Sequence, residues 1–132
     1  MTWIQWPSLI TWLTLILLVA LAFDVSRARA HYGIRAPSTS GDEQFERIYR
    51  VHMNTLENAL VFLPALWLAA WYWNPTWASV CGATWLAGRI WYARSYAHHP
   101  KHRSGGFSLS FLAFAVLIVG SAVGWVRTLA WT

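Results

Sequence analysis

From Arg47 to Asn58 the chain reads Arg47-Ile48-Tyr49-Arg50-Val51-His52-Met53-Asn54-Thr55-Leu56-Glu57-Asn58, at the mouth of an apolar stretch. With Arg47 at zero and about 100° per residue, Arg50 falls at about 300°, Asn54 at about 340°, Glu57 at about 280° and Asn58 at about 20°. The five polar groups thus share one helix face, within an arc of about 100°. A guanidinium suits a carboxylate, a carboxylate suits an ammonium, and an amide between them orients both. Such a stripe can receive a zwitterion. It can equally be an internal Arg50–Glu57 pair that fixes helix packing, and spacing leaves both readings open. His52, at about 140° on the same wheel, points away from the stripe, toward a neighbouring subunit if there is one.

A second constellation lies further along. Arg89, Tyr92 and Tyr96 stand three and four residues apart, and His99 continues their line. Phenols near a membrane surface also serve as interfacial anchors. Arg103 follows Tyr96 by seven residues and supplies a basic group able to stabilise an anion such as a thiolate. Arg29 is a further cation on that side, with simple membrane anchoring as its other reading. His98, His99 and His102 lie in a basic segment without carboxylates or thiols, so no metal site is expected. There is no Ser–His–Asp arrangement, no glycine-rich phosphate loop and no carboxylate pair set for acid–base work. Asp24 and Glu57 are the acids in or beside the apolar stretches, fewer than a proton-relay transporter needs.

The elements that must hold these groups are helices in a membrane. Of 132 residues, 57% are apolar, 11% are charged and eleven are tryptophan, which excludes an ordinary soluble domain. Four long apolar segments occupy almost the whole chain and predict helices over roughly residues 7–30, 44–73, 77–97 and 107–131. The expected fold class is an all-α integral membrane protein, a bundle of four transmembrane helices, with residues 1–132 forming one domain. Residues 2–23 carry no charge, and no Lys or Arg precedes them, so the first segment is read as a retained helix rather than a signal peptide. Gly, Pro and Ser mark the first connection, Asn74-Pro75-Thr76 the second, and residues 98–106 the third. Cys81 is the single cysteine, so no intrachain disulfide forms.

The net charge of +5 does not point to nucleic acid, because the cations cluster at one end of the bundle. Arg27, Arg29, Arg35, Arg47, Arg50, Arg94, Lys101 and Arg103 belong to the side of loops one and three; Arg127 lies toward the termini. The positive-inside rule puts loops one and three in the cytoplasm and both termini on the opposite side. Trp3, Trp6, Trp71, Trp73, Trp77, Trp125 and Trp131 gather toward the termini, as an interfacial belt does. A bacterial inner membrane or the endoplasmic reticulum fits this arrangement.

The run Phe45-Glu46-Arg47-Ile48-Tyr49-Arg50-Val51-His52-Met53-Asn54-Thr55-Leu56-Glu57 resembles the signature of the MAPEG family, the membrane-associated proteins of eicosanoid and glutathione metabolism. A second signature of that family is resembled by Gly88-Arg89-Ile90-Trp91-Tyr92-Ala93-Arg94-Ser95-Tyr96 followed by Lys101-His102-Arg103-Ser104-Gly105-Gly106. The likeness covers nearly the whole chain and is nearest in character to the microsomal glutathione transferases. It implies a homotrimer that binds glutathione, as co-substrate, between subunits near the cytoplasmic face. By the same resemblance Arg50, Asn54, Glu57, Tyr92 and Tyr96 hold the tripeptide, and Arg103 stabilises its thiolate as the catalytic group. Arg29 comes from the adjoining subunit, and His52 faces the adjoining site. The implied reaction is attack of the thiolate on a lipophilic electrophile, with lipid hydroperoxides as further substrates and detoxification as the role. The alternative is a non-catalytic protein of the same fold that binds lipid or acts as a scaffold. The chain departs from the family pattern at Asn58, where tyrosine is common, and at Leu60, where proline is usual, with Pro64 one turn later. Ala30 stands where leukotriene-forming members carry a second arginine, which argues against leukotriene synthesis.

Overall fold

The computed structural model describes residues 2–98 and 103–132 and contains four helices: α1 (Gln5–Tyr32), α2 (Glu43–Tyr72), α3 (Pro75–His98) and α4 (Arg103–Ala130). Three boundaries have a plain local cause. Gly33, at φ 69° in the left-handed region, ends α1 and returns its N–H to the Arg29 carbonyl. Asp42 caps α2, its carboxylate accepting from the Phe45 N–H at 3.0 Å, with Glu43 and Glu46 in the first turn where the helix dipole favours acids. Asn74 caps α3 by accepting from the N–H groups of Thr76 and Trp77 at 2.9 and 3.0 Å, and Pro75 occupies the first turn, where its missing N–H costs nothing.

The helices form an antiparallel bundle with α2 and α3 at its centre, each packed against all three other helices. Among the described residues α1 and α4 do not meet. The main core joins Ile10, Phe62, Leu66, Trp85 and Leu117 from all four helices, and the Phe62 and Trp85 rings stack at 3.9 Å and 2°. Trp67 Nε1 donates to Thr11 Oγ1 at 3.1 Å and ties α2 to α1.

α1 and α4 are each long and apolar enough to cross a bilayer. They turn large apolar side chains outward: Trp12, Ile16 and Phe23 on α1, Leu112 and Val119 on α4, each at least 62% exposed. A row of such groups is costly in water and unremarkable against acyl chains. The protein is an integral membrane protein in which α1 and α4 turn apolar faces outward, while Arg50, Asn54, Glu57 and Arg89 stand on α2 and α3. The tryptophans expected to form a belt do collect at one end, where α1 begins and α2 ends, with Trp3 and Trp71 edge to face at 5.6 Å.

The expected four-helix, all-α architecture is present, with differences at the edges: α2 is shifted by one residue, and α3 starts at Pro75, inside the expected second connection. α1 runs two residues further at each end than the residues 7–30 read from sequence. More consequentially, Ser104-Gly105-Gly106, expected in the third connection, forms the first turn of α4. The glycines are there for close packing rather than for a bend. A Cβ on Gly106 would lie 2.5 Å from the Tyr92 backbone nitrogen, and one on Gly88 would lie 2.8 Å from the Ser110 nitrogen. α3 and α4 therefore touch backbone to backbone beside Tyr92.

Candidate functional site

Where α2 enters the bundle, next to α3 and the start of α4, a cleft of about 370 Å³ is lined by Arg50, Asn54, Tyr92, Ser104 and Phe107. Three helices contribute, and the close α3–α4 approach at Gly106 sets Ser104 and Phe107 across from Asn54. A second, shallower cleft adjoins it through Arg50, lined also by Arg47, Tyr49, Tyr96, Glu43, Glu46 and the Thr39–Ser40 segment of the first loop.

The α2 stripe is present but unequal in its parts. Arg50 Nη1 lies 3.8 Å from Glu57 Oε1, and both side chains are 54% exposed. A pair so long and so open to solvent contributes little to stability, so both charges are available to exchange each other for a ligand. Arg47 is engaged instead by Glu43, one turn back. Asn58 folds onto its own helix, donating from Nδ2 to the Asn54 carbonyl at 2.7 Å.

On α3, Tyr92 is buried and stacks with Tyr96 at 5.6 Å and 15°. Tyr92 lines the first cleft and Tyr96 the second. Arg89 does not share their outlook. It is 0% exposed, reaches inward to donate from Nη2 to Asn54 Oδ1 at 2.9 Å, and sits with its guanidinium carbon 4.4 Å from the centre of the Tyr92 ring. The sequence reading set Arg89 in the tyrosine row but gave it no part in the site. A cation on a helix otherwise buried in apolar company was the signal, since such a group needs a named partner.

Arg29 and His52 do not line the Arg50–Asn54–Tyr92 cleft. Arg29 donates to the Ser38 carbonyl at 2.7 Å and lies over the Phe45 ring at 5.1 Å, which ties the first loop to the start of α2. His52 is half-buried on the other side of α2 from Asn54. Arg103 is the first residue of α4, directly before the cleft-lining Ser104; its side chain lies outside the described residues, as do His99 and His102. Among the described residues no three His, Cys, Asp or Glu side chains gather as metal ligands do.

The arrangement offers cations, a half-exposed carboxylate, an amide and phenols around a cleft at one end of a membrane bundle. That set fits a small, multiply charged, water-soluble molecule. The sequence profile of the MAPEG family matches residues 8–123. The chain is 48% identical over 120 residues to an uncharacterized protein of Synechocystis sp., covering 91% of this chain and 88% of that one. It is 40% identical over 103 residues to microsomal glutathione S-transferase 2 of Bos taurus, covering 78% and 70%. To leukotriene C4 synthase of Rattus norvegicus it is 31% identical over 115 residues, covering 87% and 77%.

Proposed function

The chain belongs to the MAPEG family, and from that footing we propose that it is a glutathione-dependent membrane enzyme which joins the glutathione thiolate to lipophilic electrophiles, and reduces lipid hydroperoxides at the same site. The observation that carries this reading is the cleft where Arg50, Asn54 and Tyr92 converge, with Glu57 in reach of Arg50. Glutathione has two carboxylates and one ammonium. In the bound state Arg50 takes a carboxylate, Glu57 the ammonium, and Asn54, Tyr92 and Tyr96 fix the backbone between them. Arg103, opening α4 beside the cleft, lowers the thiol pKa and raises the thiolate fraction, so the protein needs no nucleophile of its own. The thiolate sulfur forms a bond to the electrophilic carbon, and the displaced group leaves or the adjacent carbon takes a proton.

In this reading residues 1–132 act as one domain, and three copies assemble with the site between them. Arg29 and His52, which face away from their own cleft, then serve the neighbour. Loops one and three lie in the cytoplasm, where glutathione is abundant, and the electrophile arrives through the bilayer. The test is calorimetric titration of glutathione into the detergent-purified protein, with Arg50→Ala alongside. Saturable binding by the wild type that the variant loses supports the site. A folded wild type that binds no glutathione overturns it and leaves the lipid-binding scaffold as the function.

A further inference from the structure

An arginine with no exposed surface must have its charge answered locally, and Arg89 has little to answer it. Its Nη2 donates to Asn54 Oδ1 at 2.9 Å, and the Tyr92 ring face lies 4.4 Å from its guanidinium carbon. Nε and Nη1 are buried and find no acceptor among the described residues. Arg89 is therefore committed to Asn54, and the commitment runs both ways. A guanidinium has donors only. The atom of the Asn54 amide that faces it has to be oxygen, which removes the two-fold ambiguity that an amide otherwise carries. Asn58 Nδ2, at 3.5 Å from the same Oδ1, favours the same orientation.

We propose that Arg89 is a positioning residue that locks the Asn54 amide with its oxygen inward, so that Asn54 meets the cleft with its NH2 group alone. None of the described residues accepts from that NH2, and Asn54 lines the cleft beside Arg50. The Arg50–Asn54 wall is thus a wall of donors, complementary to the carboxylate or carbonyl end of a ligand and closed to its ammonium. Tyr92, which shares one face with the Arg89 cation and lines the cleft, is held by the same contact. This inference deepens the glutathione reading and rests on it for its binding assay.

Asn54→Asp separates positioning from mere structure. An aspartate keeps the acceptor that Arg89 needs, and adds an opposite charge, but brings no donor to the cleft. The variant is expected to melt at or above the wild-type temperature while glutathione affinity falls about tenfold or more, the size expected for losing a hydrogen bond to a charged group and setting a like charge near a carboxylate. Arg89→Met frees the amide to turn, and its loss is expected to fall on KM for glutathione more than on kcat. An Asn54→Asp protein that binds glutathione like the wild type, or an Arg89→Met protein with unchanged KM, overturns the proposal. A melting cycle adds a readout that needs no glutathione. Asn54→Leu should lower the melting temperature in the Arg89 background and do so far less beside Arg89→Met. Additive shifts overturn the Arg89–Asn54 coupling even if the wild type binds glutathione, whereas coupled shifts with no glutathione binding sustain the locked amide and defeat the functional reading.

Discussion

At the scale of single residues, the proposed function assigns binding to some groups and activation of the thiol to another. Arg50 and Glu57 stand 3.8 Å apart and half exposed, a pair weak enough to open for a ligand. Glu57→Gln keeps the size and removes the charge; glutathione binding is expected to weaken about tenfold by calorimetry, with the fold unchanged by circular dichroism. Arg103→Ala is expected to behave differently. Turnover of a chromogenic electrophile should fall about a hundredfold or more while glutathione binding stays within about threefold, because a lost thiolate partner is felt in the reacting state. Equal losses in both would place Arg103 in binding instead. The shared face of Arg50 and Asn54 was legible in the sequence, because helical spacing tells which residues of one helix share a face; Tyr92, on α3, was joined to them through the family resemblance alone. Spacing does not tell which residues of two helices touch. Hence Arg89 was set in a row with Tyr92 and Tyr96, whereas it turns inward to α2.

At the scale of elements, caps and glycines decide where the site groups stand. The four helices were readable from apolar runs broken by Gly33, Pro37 and Asn74-Pro75. The start of α4 was not, since Gly105-Gly106 is a turn signal in isolation and a packing device against α3. Gly106→Val is therefore expected to do more than lower helix fraying. Its side chain would meet the Tyr92 backbone, and the bundle should melt well below the wild type, with glutathione binding lost in step. Asp42→Ala is milder. Removing the cap on α2 should cost about 1 kcal/mol of stability, read as a lower melting temperature, with little change in turnover at temperatures where the protein is folded.

At the scale of the whole molecule, most of the cations and most of the tryptophans gather at opposite ends, which predicts an orientation that labelling can check. In a Cys81→Ser background, Ser38→Cys should react with an impermeant maleimide from the cytoplasmic side and Thr132→Cys from the other; the reverse pattern overturns the orientation. The distance between the two ends has its own consequence. Twenty-one residues of α2 separate Arg50 from Trp71, about 32 Å of helix at about 1.5 Å per residue. A typical hydrocarbon layer is about 30 Å thick. With the indole rim held at one surface, the donor wall of the cleft arrives at the other, at the seam between the aqueous phase and the oil. On the proposed function glutathione would come from the first and a lipophilic electrophile from the second, so the length of one helix would act as a ruler that brings two immiscible reactants to a common depth. Acyl chains that thicken the layer would draw the cleft below the water line, and chains that thin it would lift the cleft clear of the oil.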